Sequence, residues 1–248
     1  MAALAAPSKA DGQKGENSIG LIADAQYADV PNQGSRHYRA SLGKLEDAVR
    51  KFNGSDFQLC IHMDGLIDRG WGNFTAPLPA LSKLRLLFLD TNDISTYAHP
   101  PGSPTHTTTQ DRLTKLRKEK KPNAHPWNGA VSNTRLKWLS SECTKAEKSA
   151  QHVVVSTRHP VYPSGSHNVW NTPEILSVID RHSNIIAWFN DHNHAGTYAR
   201  RNGVHYATLH GMVETADTNA SAIASFSDSA LSIQGAGWEP PRTLSFPS

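Results

Sequence analysis

The sequence predicts a layered α/β sandwich, on three observations. Short apolar runs at Ile19 to Ala23, Leu84 to Leu89, His152 to Ser156 and Ile185 to Phe189 each stop abruptly in polar residues, as buried strands do. Stretches of helical period lie between them, giving strand–helix–strand units whose crossovers are expected to be right-handed. The last third then changes to β runs alone, at Val204 to Leu209, Ala222 to Phe226 and Ala230 to Ile233. The last two are joined by Ser227-Asp228-Ser229 as a hairpin.

Taken in order, Met1 to Ser18 is small, polar and low in complexity, and reads as a frayed tail before one domain over 19–248. After the first strand, Tyr38, Leu42, Leu45, Val49 and Phe52 recur as one apolar helix stripe, stopped by Asn53-Gly54-Ser55. Phe57 to Ile61 is the next strand, and Leu84 to Leu89 the third. His99 to Val131, rich in Pro, Thr, His and Lys, reads as a long irregular loop, a length usually reserved for function or disorder. Leu136, Leu139, Cys143 and Ala146 mark a helix capped by Ser132 or Asn133. A short helix over 173–181 leads back to the strand at Ile185.

The bulk numbers exclude several classes of function. A formal charge of +3, from 25 basic and 22 acidic residues in 248, is too weak to argue for a nucleic-acid partner. Cys60 and Cys143 are the only cysteines, which indicates neither a disulfide framework nor a thiolate metal site. A reduced cytoplasmic setting fits, and no apolar run reaches membrane-spanning length.

The chemistry centres on Asn190-Asp191-His192-Asn193-His194, just past the Ile185 strand. Ligand sites in open α/β sheets lie past strand carboxyl ends, and two histidines there can each offer a ring nitrogen to a metal. A pair of loop histidines at the surface would have the same spacing. The other strand ends tip the balance. They carry Asp24-x-Gln26, Asp64-Gly65-(x)2-Asp68 and Arg158-His159-Pro160.

In that order the four motifs resemble the calcineurin-like metallophosphoesterases, and within them the Mn-dependent ADP-ribose/CDP-alcohol diphosphatases. Ile22 to Asp29, Leu89 to Ser95, Leu209 to Asp217 and Gly237 to Leu244 add to the likeness, which runs from about Ile19 to Phe246. The resemblance implies a four-layer αββα sandwich with two divalent ions, manganese above all, at the strand ends. Such ions grip a phosphate and acidify a water for in-line attack. It implies a small nucleotide substrate of the ADP-ribose type, cleaved to AMP and a sugar phosphate. Asp24, Gln26 and His194 would hold the first metal, and His192 would belong to the second.

The departures fall on the second metal. The Gly-Asp of the family is reversed as Asp64-Gly65, so the bridging Asp is Gly65, and Asp64 reaches the metals only if the strand end re-forms. Arg158 replaces a metal-binding His. It stays charged and binds no cation, but its planar fork can grip a phosphate. Asp191 stands where the family has Gly, a position that can call for positive φ. The Gly-Asn-His motif is absent from the chain, and a strand–helix segment between Asp68 and Lys83 is missing with it. The expectation is therefore one ion rather than two, and an impaired hydrolase or a nucleotide-binding protein without turnover. His159, His210 and Trp127 are the candidate substrate contacts, with Trp71, Trp138 and Trp170 assigned to packing. Asp29 and Asp68 read as turn or cap residues, and Glu214 has no assigned role.

Overall fold

The computed structural model describes residues 2–5, 18–55, 59–63 and 83–246. Its strands are β1 (Ala2–Ala5), β2 (Ser18–Ala23), β3 (Leu59–Met63), β4 (Leu84–Phe88), β5 (Ile94–Ser95), β6 (Gly129–Ala130), β7 (His152–Ser156), β8 (Ile185–Asn190), β9 (Ala195–Arg201), β10 (Val204–His210), β11 (Ala220–Phe226), β12 (Ala230–Gly237) and β13 (Arg242–Ser245). Its helices are α1 (Ala40–Asn53), α2 (Pro104–Lys118), α3 (Asn133–Lys148) and α4 (Thr172–Ile179), with a 3-10 turn at Met212–Glu214. The chain divides into two compact units.

The first unit comprises Met1–Gly72, Asp191–Thr197 and Thr208–Ser248. Its six-stranded sheet runs β1-β3-β2-β11-β12-β13. β2 lies parallel to β3, with Ile22 opposite His62, and antiparallel to β11, with Ile22 opposite Ser221. Ile22, Ala25, Ala48, Phe52, Met212 and Ala220 form its apolar core. The Phe52 ring lies so close to Gly20 that a Cβ there would meet it at 3.0 Å.

The second unit comprises Asn73–Asn190 and Tyr198–Ala207. Its sheet runs β4-β7-β8-β10-β9, with β4, β7 and β8 parallel. β8 is buried along its whole length, as a strand covered on both faces must be. Trp188 at its centre is fully buried, and its Nε1 donates to the His159 carbonyl at 3.3 Å. Leu136, Leu139, Cys143 and Ala146 of α3, with Ile175, Val178 and Ile179 of α4, pack into the same core.

Most strands lie where the apolar runs place them, but three expectations change. Ala2–Ala5 is a strand paired antiparallel with β3 rather than part of a frayed tail; residues 6–17 lie outside the described ones. The buried face of α1 is Ser41, Lys44, Ala48 and Phe52, while Leu42 and Val49 are exposed. Lys44 can turn inward because Nζ donates to the carbonyls of Met212 and Thr215. Burial outweighs the pull of Asp217 and Glu214 and lowers its pKa to about 8.

The third change is the stretch over 99–131, which holds a 15-residue helix, α2, and the short strand β6. Ser103 caps α2 by accepting from the His106 amide at 3.2 Å, and Pro104 fits the first turn. Five threonines and few apolar residues hid the helix. Only Thr109 and Leu113 are buried on it, and Leu113 packs with Ala130 and Trp170. Among the described residues, no helix is long and apolar enough to cross a membrane.

Candidate metal centre

The site is built in the first unit, where β2 ends. Asp24 and Gln26 both take positive φ, 45° each. This left-handed conformation costs a non-glycine residue roughly 1–2 kcal/mol, and here it turns two polar side chains inward. Asp191, at a position that can call for positive φ, is not among the positive-φ residues; that conformation falls on Asp24 and Gln26. Asp24 is 1% exposed and Gln26 8%.

His194 meets them from the turn before β9. Its Nε2 lies 3.4 Å from Asp24 Oδ1 and 3.3 Å from Gln26 Nε2. Gln26 Nε2 also donates to Asp24 Oδ1 at 3.0 Å. The backbone fixes both arms to the segment over 211–214. The Val213 amide donates to the Asp24 carbonyl at 3.0 Å, and the Gly211 amide to the His194 carbonyl at 3.0 Å. Gly211 is required, because a Cβ there would meet His194 Cγ at 2.8 Å.

Glu214 gains the role that sequence reasoning missed. Its Oε1 accepts from His194 Nδ1 at 2.5 Å, and Arg36 stands 3.6 Å from the same oxygen. This fixes the ring so that Nε2 points at Asp24 and Gln26, the arrangement that orients a metal-binding histidine. Burial lowers the His194 pKa, but Asp24 and Glu214 outweigh it and raise the imidazole to about 9. The hydrogen bond from His194 lowers Glu214 to about 2, against burial. A Glu-Thr pair just beyond a short β run was the available signal, and spacing alone could not link residues 20 apart. Glu214→Gln is expected to weaken manganese binding 10- to 100-fold with the fold intact, as read by Mn(II) electron spin resonance and far-UV circular dichroism.

At this site two buried oxygens, Asp24 Oδ2 and Gln26 Oε1, have no hydrogen-bond partner among the described residues. An orphaned buried acceptor costs about 1–3 kcal/mol, and a cation removes that cost. Carboxylate, amide and imidazole together suit manganese or a similar divalent ion, so the residues present fit one such ion. Among the described residues, no group of three His, Cys, Asp or Glu side chains is placed to hold a metal ion; here the amide of Gln26 would be the third donor beside Asp24 and His194.

The other predicted site residues are placed as follows. Asp64, with Gly65, Asp68 and Trp71, lies outside the described residues. His192 is half-buried, two residues before His194. Asp29 is an exposed partner of Arg39 at 2.6 Å. His210 is held by Glu239, whose Oε2 lies 2.9 Å from its amide and 3.1 Å from Nδ1, and its ring tilts against Trp238.

In the second unit, Arg158 is half-buried just past β7. Trp127 is 42% exposed and stacks on His125 with ring centroids 4.2 Å apart. His159, the candidate substrate contact beside Arg158, lies in the interior of the second unit. It is fully buried, with Nδ1 2.7 Å from Thr91 Oγ1 and Nε2 3.4 Å from the Trp127 carbonyl.

Burial, reinforced by Arg158, pushes the His159 pKa well below 6.5. Above pH 6.5 both folded and unfolded chains hold it neutral. Below that, only the unfolded chain takes up the proton, so stability falls as the pH drops. The expected slope from this residue is about 1.4 kcal/mol per pH unit. Urea unfolding at pH 7 and pH 5.5 should show it, and His159→Gln should lose that part of the slope.

No protein-family model matches the chain. Curated relatives do. The chain is 25% identical to the manganese-dependent ADP-ribose/CDP-alcohol diphosphatase of Mus musculus, over 98% of this chain and 97% of that protein. It is 29% identical to the protein of the same name from Xenopus tropicalis, over 92% and 93%. The mouse alignment runs over 334 residues against 248 here, so that relative carries residues with no counterpart in this chain. A dimetal phosphatase from Danio rerio superposes with a TM-score of 0.86 at 21% identity, over 93% of this chain and 99% of that one. The chain is thus a relative of proteins named manganese-dependent ADP-ribose/CDP-alcohol diphosphatases, with the mixed α/β fold of a dimetal phosphatase.

Proposed function

We propose that the chain is a metal-dependent phosphoesterase that hydrolyses the diphosphate of a nucleotide such as ADP-ribose, working with one divalent ion, manganese, rather than two. The observation that carries this reading is the convergence of Asp24, Gln26 and His194 on one another, with Glu214 behind His194. These three would hold the ion. Bound there, it supplies positive charge to a phosphate oxygen and acidifies water.

The protein's own groups prepare the site for that role. Glu214 fixes the tautomer of His194 so that Nε2 faces Asp24 and Gln26. The turn over 211–214 holds the Asp24 and His194 backbones by one hydrogen bond each. Burial of Asp24 and Gln26 keeps bulk water away, which strengthens every electrostatic contact there. The test is to incubate the purified chain with ADP-ribose and manganese and follow AMP by chromatography. AMP formation that needs manganese supports the reading.

A second reading, nucleotide binding without turnover, is favoured by Arg158 and Gly65, which remove donors from the second ion. ADP-ribose that binds in calorimetry but releases no AMP would select it.

A further inference from the structure

We infer that His62 is a further ligand of the metal held by Asp24, Gln26 and His194, recruited from β3 in place of the carboxylate lost at Gly65. The inference rests on the metal reading of those three residues. It starts from an imidazole with nothing to do. His62 is 3% exposed, and neither of its ring nitrogens has a hydrogen-bond partner among the described residues. A buried imidazole normally satisfies at least its N–H. His62 does not.

Its position gives the reason. β3 lies parallel to β2, and His62 is paired with Ile22, two residues before Asp24. The Met63 carbonyl accepts from the Asp24 amide at 3.2 Å, so the two strand ends are stitched side by side. The Asp24 carboxylate acts on the His62 ring electrostatically. Among the described residues, four buried polar atoms on two adjoining strand ends therefore lack partners: Asp24 Oδ2, Gln26 Oε1, and both nitrogens of His62. A single cation offers a partner to three of the residues at once, and nitrogen and oxygen donors of this kind suit manganese. His62 is not yet gathered with Asp24 and His194, so its side chain would have to rotate toward them when the metal enters.

The test uses the full chain, freed of metal by chelation. Mn(II) binding is read by electron spin resonance for the wild type, His62→Leu and His62→Gln. Wild type should bind one ion, and His62→Leu should bind it at least about tenfold more weakly. The metal-free His62→Leu chain should also melt higher than metal-free wild type, since its side chain needs no partner. Should His62→Leu fold poorly, nitrogen-15 spectra of the wild-type histidine rings with Cd(II) give the answer directly. Two rings, His62 and His194, should shift, the former identified by its absence in His62→Gln. Undiminished binding by His62→Leu, or a His62 ring unmoved by Cd(II), overturns the inference and leaves the three-residue site standing. A wild type that binds no metal overturns that site as well.

Discussion

Asp24→Asn should lower manganese-dependent AMP release roughly 1000-fold. Asp24 is the one carboxylate in the proposed ligand set, it is 1% exposed, its Oδ1 lies against Gln26 and His194, and its Oδ2 is buried with no partner among the described residues. Removing its charge weakens the ion's hold, and the ion's effect on a phosphoryl transition state is worth several kcal/mol, each 1.36 of which is tenfold in rate. Asparagine is the right substitution because the residue sits at φ 45°, which Asn tolerates better than Ala. The variant should therefore fold like the parent, and circular dichroism checks that first. A folded Asp24→Asn that releases AMP at the parental rate would mean that hydrolysis occurs elsewhere.

The second large effect concerns stability. Trp188→Ala should cost about 3–5 kcal/mol, read as a fall in the urea midpoint at unchanged slope. Trp188 is fully buried on a strand with every residue buried, and it packs in the same cluster as Leu139, Val155, Ile175 and Tyr206. The substitution opens a cavity and also strips the His159 carbonyl of its indole donor. A loss below about 1 kcal/mol would show that the core collapses around the gap, contrary to the close packing expected of such a strand.

Why some elements were legible and others were not follows from what each one buries. β7 and β8 announce themselves because both faces are covered and the runs are apolar throughout. α2 buries only a threonine and a leucine, so its period is too faint to stand out against threonine and lysine. β9 was missed because none of its residues is buried and so no apolar run marks it. On α1, a lysine turned inward displaced the apparent apolar stripe, since carbonyls from residues 212 and 215 satisfy it. The site divides in the same way. Asp24, Gln26 and His194 were legible as motifs at strand ends. Glu214 and His62 were not, because their significance lies in a hydrogen bond made at 2.5 Å and in hydrogen bonds not made at all. The burial of His159 was not legible either: a motif position next to Arg158 says nothing about being sealed inside.

The sheet of the first unit also sets a clock on the ribosome. β2 needs β11 as its antiparallel neighbour, and Ser18 meets Ser225 across 207 residues of chain. At typical synthesis rates of about 5–20 residues per second, β2 waits roughly 10–40 s for that partner. Until then its free edge is a template for any passing strand, and the Asp24 arm has neither the histidine nor the 211–214 turn to fold against. A nascent chain of this design depends on being shielded until its last strands emerge, and a pause or truncation late in translation should send it to aggregation rather than to a partly working protein.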